Sequence, residues 1–385
     1  MIDVGTGQKK EISNAGLHAP DRRDSLEKGI TNRQMFFIML LVISAFRTID
    51  IPQMAAITMG RSGWSVVFIY AVPFSLIAVM VTKLNNMFMG MTLFEYGEIL
   101  LGKVLRCILC VLFILYYFSV LVYLNENIAK LITMNFLPKT QPVFTLGLAI
   151  ALFGFIVYRG TETMARLFEL MGVMYLAVTL LLCLLMLTQS EPENILPVYN
   201  PDEWKQFLSA LLMFGTVFGG MENLLLIPFT NKNKKAPRTA FFSIWAIALL
   251  FVLIAEGSIG MLGVNNAMVY NDTFIEAVKL TNAPVIERPD ILYITVSLAS
   301  LFAILTVLIH STVEILSRMF FAAKRGLLVL IVCASSYAAS LIVLGIPAYN
   351  PAFKKILPAL VLFFAGAVPT LLYLTAVIKK KSGAI

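Results

Sequence analysis

Apolar residues along this chain come in runs of membrane length, divided by short polar segments that hold most of the charge. Windows of about 20 residues, the length that crosses about 30 Å of hydrocarbon, fall near 34–58, 65–82, 104–124, 143–158, 164–188, 207–229, 238–262, 291–316, 327–346 and 356–378. The pattern predicts an all-α integral membrane protein of ten transmembrane helices. Two of the windows are interrupted at matching places. The first breaks at Phe46-Arg47-Thr48-Ile49-Asp50-Ile51-Pro52 and the sixth at Gly215-Thr216-Val217-Phe218-Gly219-Gly220. A broken helix frees backbone groups that hydrocarbon cannot satisfy, so paired breaks predict a small-molecule site near the bilayer midplane.

An odd number of spans in each half inverts the second relative to the first. Repeat one is predicted over about 34–188 and repeat two over about 207–378, forming one permease domain over 33–380 in which discontinuous spans 1 and 6 face each other. Residues 1–32 are polar and of mixed charge, and they read as a disordered tail without the apolar core of a signal peptide. Basic residues set the orientation. Arg22, Arg23, Lys28 and Arg33, then Lys103 and Arg106, Arg159 and Arg166, Lys234, Lys235 and Arg238, Lys324 and Arg325, and Lys379 to Lys381 all fall on one side. That side is predicted to be cytoplasmic, with both termini on it. The longest loop on the other side, 263–290, reads as a solvated connector or a cover for an outer entrance.

Composition agrees with the pattern. The chain is 59% hydrophobic and 14% charged, and its mean hydropathy is +0.85, more apolar surface than a water-soluble core of 385 residues can hide. The net charge of +8 describes topology here and does not point to nucleic acid. Cys107, Cys110, Cys183 and Cys333 all lie in apolar runs and read as small buried hydrophobes. The Cys107 to Cys110 spacing lacks the βαβ setting of a redox pair. No nucleophile and base arrangement, phosphate-cradling loop or metal-ligand spacing is present, so no enzyme, metal or cofactor is expected.

Ionisable groups inside a membrane cost about 2.5–3.5 kcal/mol or more unless paired or used. Arg47 and Asp50 are three residues apart, which suits a local pair; an open Arg47 suits a bidentate clamp on a substrate carboxylate. Phe46 and Thr48 share that break. Glu222 follows Gly219-Gly220, where it can face a cation or Arg47, and Thr216 adds a hydroxyl that serves the site or bonds back one turn. Tyr116, with Tyr117, is placed to line the cavity from span 3. Glu169 reads as a proton or cation relay or as a partner of Arg166. Glu126 and Glu256 read as locally paired, whereas His310, deeper in span 8 above Glu314 and Arg318, is a third relay candidate.

Four motifs, taken in order, carry a resemblance. They are Thr31-Asn32-Arg33-Gln34-Met35-Phe36-Phe37, Tyr158-Arg159-Gly160-Thr161-Glu162-Thr163 leading to Arg166 and Glu169, Phe218-Gly219-Gly220-Met221-Glu222 leading to Pro228, and Ile286-Glu287-Arg288-Pro289-Asp290. Over residues 31–380 the chain resembles the endospore germination permeases, the B subunits of nutrient germinant receptors, within the amino acid, polyamine and organocation transporter superfamily. The resemblance implies the LeuT-like inverted-repeat fold and a germinant such as an amino acid or sugar. It also implies the spore inner membrane, with termini toward the spore core, and an A-type membrane subunit and a C-type lipoprotein as partners. Carried onto this chain, the site falls on 45–52, 215–222 and the segment around Glu169. Ala45-Phe46-Arg47 stands where such proteins have small, glycine-rich sequence, which argues for ligand sensing before transport. The competing expectations are a proton- or cation-coupled amino acid or organocation transporter and a structural subunit whose pocket is plugged by Arg47 and an acidic partner.

Overall fold

The computed structural model describes residues 30–47, 50–196, 211, 213–227, 229, 233–270, 272–281, 287–319, 324–346 and 349–381. Its regular structure is entirely helical. Helices α1 (Asn32–Arg47), α2 (Ile51–Met59), α3 (Gly63–Met87), α4 (Leu93–Leu101), α5 (Lys103–Asn135), α6 (Pro142–Arg159), α7 (Thr161–Gln189) and the single turn α8 (Pro192–Ile195) make up the first part. After the 3-10 segments Phe214–Thr216 and Met221–Leu226 come α9 (Ala236–Val269), α10 (Thr273–Lys279), α11 (Pro289–Met319), α12 (Arg325–Leu344), α13 (Tyr349–Val361) and α14 (Val368–Lys381).

Among the described residues, eight helical stretches are long and apolar enough to cross a membrane. One of these runs from α13 into α14 through a π-helical stretch, Leu362–Ala367. The outer surface explains the length of the apolar runs. Val104, Leu148, Leu330 and Ile342 are each more than 60% exposed, an arrangement suited to hydrocarbon and costly in water. Helices α1 and α11 form the centre: Leu40, Leu41, Ile43, Ile304, Leu305 and Leu308 have almost no exposed surface. Around them pack α5, α7 and α9.

Two elements differ from the sequence expectation. Helix α4 lies in a segment that the apolar windows pass over. It is started by a capping box in which the Thr92 amide donates to Glu95 Oε2 at 2.8 Å, and the Thr-x-x-Glu pattern at 92–95 is its sequence signature. The loop expected as a solvated connector instead continues α9 past a kink at Gly263 and then folds as α10. Phe274, Ile275, Ala277 and Val278 are buried, and Phe274 meets the Tyr293 ring edge-on at 4.3 Å. These apolar residues, at helical spacing, cover the α9–α11 seam and lose more by exposure than a free loop would gain.

Candidate functional site

The two expected breaks behave differently. At the first, α1 ends at Arg47 and α2 begins at Ile51 with Pro52 in its first turn. Proline is tolerated there because its missing N–H would have had no helical partner. Asp50 carries α2: its carbonyl accepts from the Met54 amide at 2.9 Å. Its carboxylate meets Lys354 Nζ of α13 at 3.0 Å. Thr48 and the side chains of Phe46 and Arg47 lie outside the described residues.

At the second break, residues 214–226 follow 3-10 and turn geometry. Gly220 has a φ of 96°, in the left-handed region that L side chains rarely enter. Gly215 lets the segment close on the last spanning helix, since a Cβ there would sit 2.9 Å from Leu362 Cδ1. Glu222, fully buried, accepts from the Tyr116 hydroxyl through Oε1 at 2.8 Å and from the Gly220 amide through Oε2 at 2.8 Å. Tyr116 is held in turn by Phe364 of the π-helical stretch, stacked at 4.3 Å.

The expectation that only a ligand satisfies the backbone at this break is corrected by the neighbouring helices. Asn223 Nδ2 donates to the Gly220 carbonyl at 2.9 Å, and its Oδ1 accepts from Ser311 of α11 at 2.8 Å. Asn85 of α3 donates to the Leu224 carbonyl at 2.8 Å, and the hydroxyl of Tyr96, in α4, donates to the Leu225 carbonyl at 3.2 Å. Helical hydrogen bonds given up by the 3-10 path are thus replaced by side chains, as an apolar interior requires. Asn85, Tyr96, Asn223 and Ser311 were not singled out in the sequence. For Asn223 and Ser311 the signal was polarity inside an otherwise apolar window; Asn85 and Tyr96 fall between the windows and carried no such signal.

The remaining predicted residues are dispersed. Glu169 is paired with Arg33 Nε at 2.7 Å, binding α7 to the start of α1; Arg166, the partner expected from spacing, holds Glu162 at 2.5 Å. His310 is buried on α11 with Nδ1 3.5 Å from Arg325, and its neighbour Ser311 is the residue that reaches the break. Arg318 is shared between Glu314 at 3.1 Å and Glu95 of α4 at 2.5 Å. Glu126 pairs locally with Lys130 at 2.5 Å. Thr216 is fully buried within the second break. No cluster of metal-ligating side chains exists among the described residues.

The structure therefore brings Tyr116, Gly220 and Glu222 together, and puts Asp50 and Glu169 near opposite ends of α1. Arg33 lies fourteen positions before the end of α1 at Arg47, about 21 Å at helical rise. Between these two ion pairs, Met39 and Val42 of α1 face Gly220 and Asn223 across a cavity of about 10 Å³, room for about one water.

Comparison with known proteins identifies the lineage. A family described as "Spore germination protein" matches residues 29–343, and the chain belongs to that family of spore permeases. Three relatives from Bacillus subtilis (strain 168) are similar over shorter stretches. Spore germination protein YndE is 23% identical over 59% of this chain and 66% of its own length. Putative spore germination protein YfkT is 27% identical over 48% and 51%, and spore germination protein B2 is 21% identical over 69% and 73%. The chain thus spans less than two thirds of the first two relatives. Among solved structures, MhsT in complex with L-phenylalanine superposes with a TM-score of 0.64 at 14% identity, covering 90% of this chain and 89% of that one. A Na+-coupled sialic acid symporter in a substrate-bound outward-open state gives 0.63 at 12% identity, covering 91% and 89%. These likenesses establish a LeuT-type transporter fold.

Proposed function

We propose that this spore permease is the membrane subunit of a nutrient germinant receptor, and that it binds a small amino acid-like or sugar germinant between α1 and the 214–226 segment to trigger germination. In this reading α1 and α2 form a discontinuous first span, residues 207–229 a discontinuous sixth, and the ten spans divide into two inverted repeats within one domain over 33–380. The observation that carries it is the environment of Glu222. A fully buried carboxylate held by a tyrosine and a left-handed glycine, beside two helices each tied to a neighbour by an ion pair at its start, supports an element that can shift between two positions. Ligand binding biases such an element by its differential affinity for the two.

Arg47, with Phe46 and Thr48, supplies recognition from the first break; Gly215, Thr216, Gly219 and Gly220 with Tyr116 supply it from the second. The state change passes to an A-type membrane subunit and a C-type lipoprotein in the spore inner membrane, with both termini on the core side. The test is thermal stabilisation of the detergent-solubilised protein by amino acids, sugars and nucleosides, repeated with Arg47→Ala and Glu222→Gln. A ligand at a hundredfold over its Kd adds about 2.7 kcal/mol. A shift lost in either variant supports the site; no shift from any compound counts against it.

The transporter fold supports a second reading, a proton- or cation-coupled amino acid or organocation carrier with Glu222, Glu169 or His310 as the coupling group. Proteoliposome uptake that depends on a pH or sodium gradient and is lost in Glu222→Gln selects this reading over a receptor that only switches.

A further inference from the structure

Helices α1 and α9 begin at the same face of the bundle, and between them lies an open groove of about 750 Å³. Its polarity changes with depth. Arg33, Lys235 and Arg238 stand at the rim, Phe36, Phe37 and Phe242 line it one turn further in, and Ala246 lies a turn beyond those. At 1.5 Å per residue, the aromatic level is about 6 Å below Arg238 and Ala246 about 12 Å below. A positive rim over an apolar trough of this depth matches the profile of a phospholipid, with its phosphate at the surface and its chains beneath.

The rim charge is available. Glu169 neutralises Arg33 at 2.7 Å, whereas Lys235 and Arg238 have no acidic partner among the described residues. The Arg238 guanidinium rests 5.7 Å over the Phe242 ring, a position that keeps it at the groove and leaves its donors open. The first two amides at the start of α9 are already used, since Asn233 Oδ1 accepts from Lys235 N and Ala236 N, each at 3.1 Å, and Pro237 has none. An anion would therefore be held by side chains. Phe242 is 55% exposed, and a water-soluble anion would leave it so, while acyl chains would cover it.

We propose that this groove is a binding site for one anionic phospholipid, its phosphate held by Lys235 and Arg238 and its chains laid along Phe36, Phe37 and Phe242. Because α1 forms one wall and Arg33 lies at the rim, the lipid phosphate competes with Glu169 for Arg33. Lipid charge thereby bears on how firmly the start of α1 is held to α7.

The experiment is a native mass spectrometry titration of the full-length protein with phosphatidylglycerol and with phosphatidylcholine. The parent protein is expected to bind the first phosphatidylglycerol more tightly than phosphatidylcholine. Lys235→Gln with Arg238→Gln should weaken phosphatidylglycerol about 25-fold, at about fivefold per basic residue, and phosphatidylcholine, whose choline cation offsets its phosphate, by a smaller factor, with thermal unfolding of the lipid-free variant matching the parent to report intact folding. Arg238→Lys should recover most of the loss, and Phe242→Ala should weaken binding with the rim charges in place. Equal affinity for the two lipids would overturn the proposal, as would an equal loss in Lys139→Gln with Lys355→Gln, exposed lysines away from the groove. Stabilisation by inorganic phosphate or glycerophosphoglycerol to the extent given by phosphatidylglycerol would overturn it in favour of a free-anion site.

Discussion

The Tyr116 hydroxyl donates to Glu222 at 2.8 Å across 106 residues of sequence, joining the middle of α5 to a stretch where the backbone leaves α geometry. Both oxygens of that carboxylate are engaged, the second by the Gly220 amide two residues earlier. The position of the 214–226 segment is therefore coupled to α5 through this polar contact in an apolar interior. Loss of such a bond leaves the partner buried and underpaired, at a cost of about 1–3 kcal/mol.

Tyr116→Phe is expected to lower stability by about 1–3 kcal/mol. The Tyr116→Phe and Glu222→Gln double variant should be less destabilised than the sum of the singles, because the two residues share one interaction. Reversible unfolding in mixed micelles, run as a double-mutant cycle, measures this. Strict additivity would mean that the contact carries no coupling.

Gly220→Ala should destabilise by about 1–2 kcal/mol, the cost of placing a Cβ in the left-handed region where Gly220 has a φ of 96°. Gly215→Ala acts by another route, through a 2.9 Å contact with Leu362, so Leu362→Ala should relieve it and should not relieve Gly220→Ala. Thermal unfolding of the four variants separates the mechanisms.

Asp50 and Lys354, at 3.0 Å, bind the start of α2 to α13. Both are partly exposed, so the pair is worth about 0.2–1 kcal/mol of stability. In the receptor reading proposed above, its larger effect is on ligand access beside the first break. Asp50→Lys and Lys354→Asp should each alter the rate of germinant-dependent germination, and the charge-swapped double variant should return it toward the parent. A double variant as impaired as the singles would show that the pairing is not what matters.

Asp272, before α10, titrates above the ordinary aspartate range although it remains exposed. Packing removes water from it, and the Asp50 and Glu276 carboxylates add to the shift while Lys279 and Lys354 oppose it. A carboxyl whose folded pKa is raised contributes stability that is complete below the unfolded pKa of about 3.9 and is lost as pH rises through the folded value. Asp272→Asn should therefore unfold at a higher temperature than the parent near about pH 7, with the difference shrinking as pH falls toward about 4. A difference independent of pH would assign the effect to packing.

Much of the fold was legible because hydropathy and backbone needs are local. The run at 104–124 became α5, that at 164–188 became α7, and the Gly219-Gly220 step marked where helical geometry fails. Helix α4 was also readable, through Thr92 and Glu95, but its apolar stretch is too short for a span. In the candidate site, Glu222 and Tyr116 were each visible as polar groups in an apolar window, although nothing in their spacing joins them. Glu169 shows the limit: Arg166 is its obvious partner three residues earlier, and Arg33 of another helix holds it instead.

The sequence by itself determined that this is a multi-span helical membrane protein with irregular backbone near residue 220, since length, apolar content and glycine chemistry are properties of short segments. Only the tertiary structure decided who meets whom: Glu222 with Tyr116, Asp50 with Lys354, Glu169 with Arg33, and Asn85 and Tyr96 with the carbonyls of the break. The physical reason is rotational. A helix apolar on nearly every face can turn about its axis with little change in hydropathy. Interhelical close packing and the cost of leaving a buried polar group unpaired, neither encoded in any single segment, select the rotation that brings these groups together.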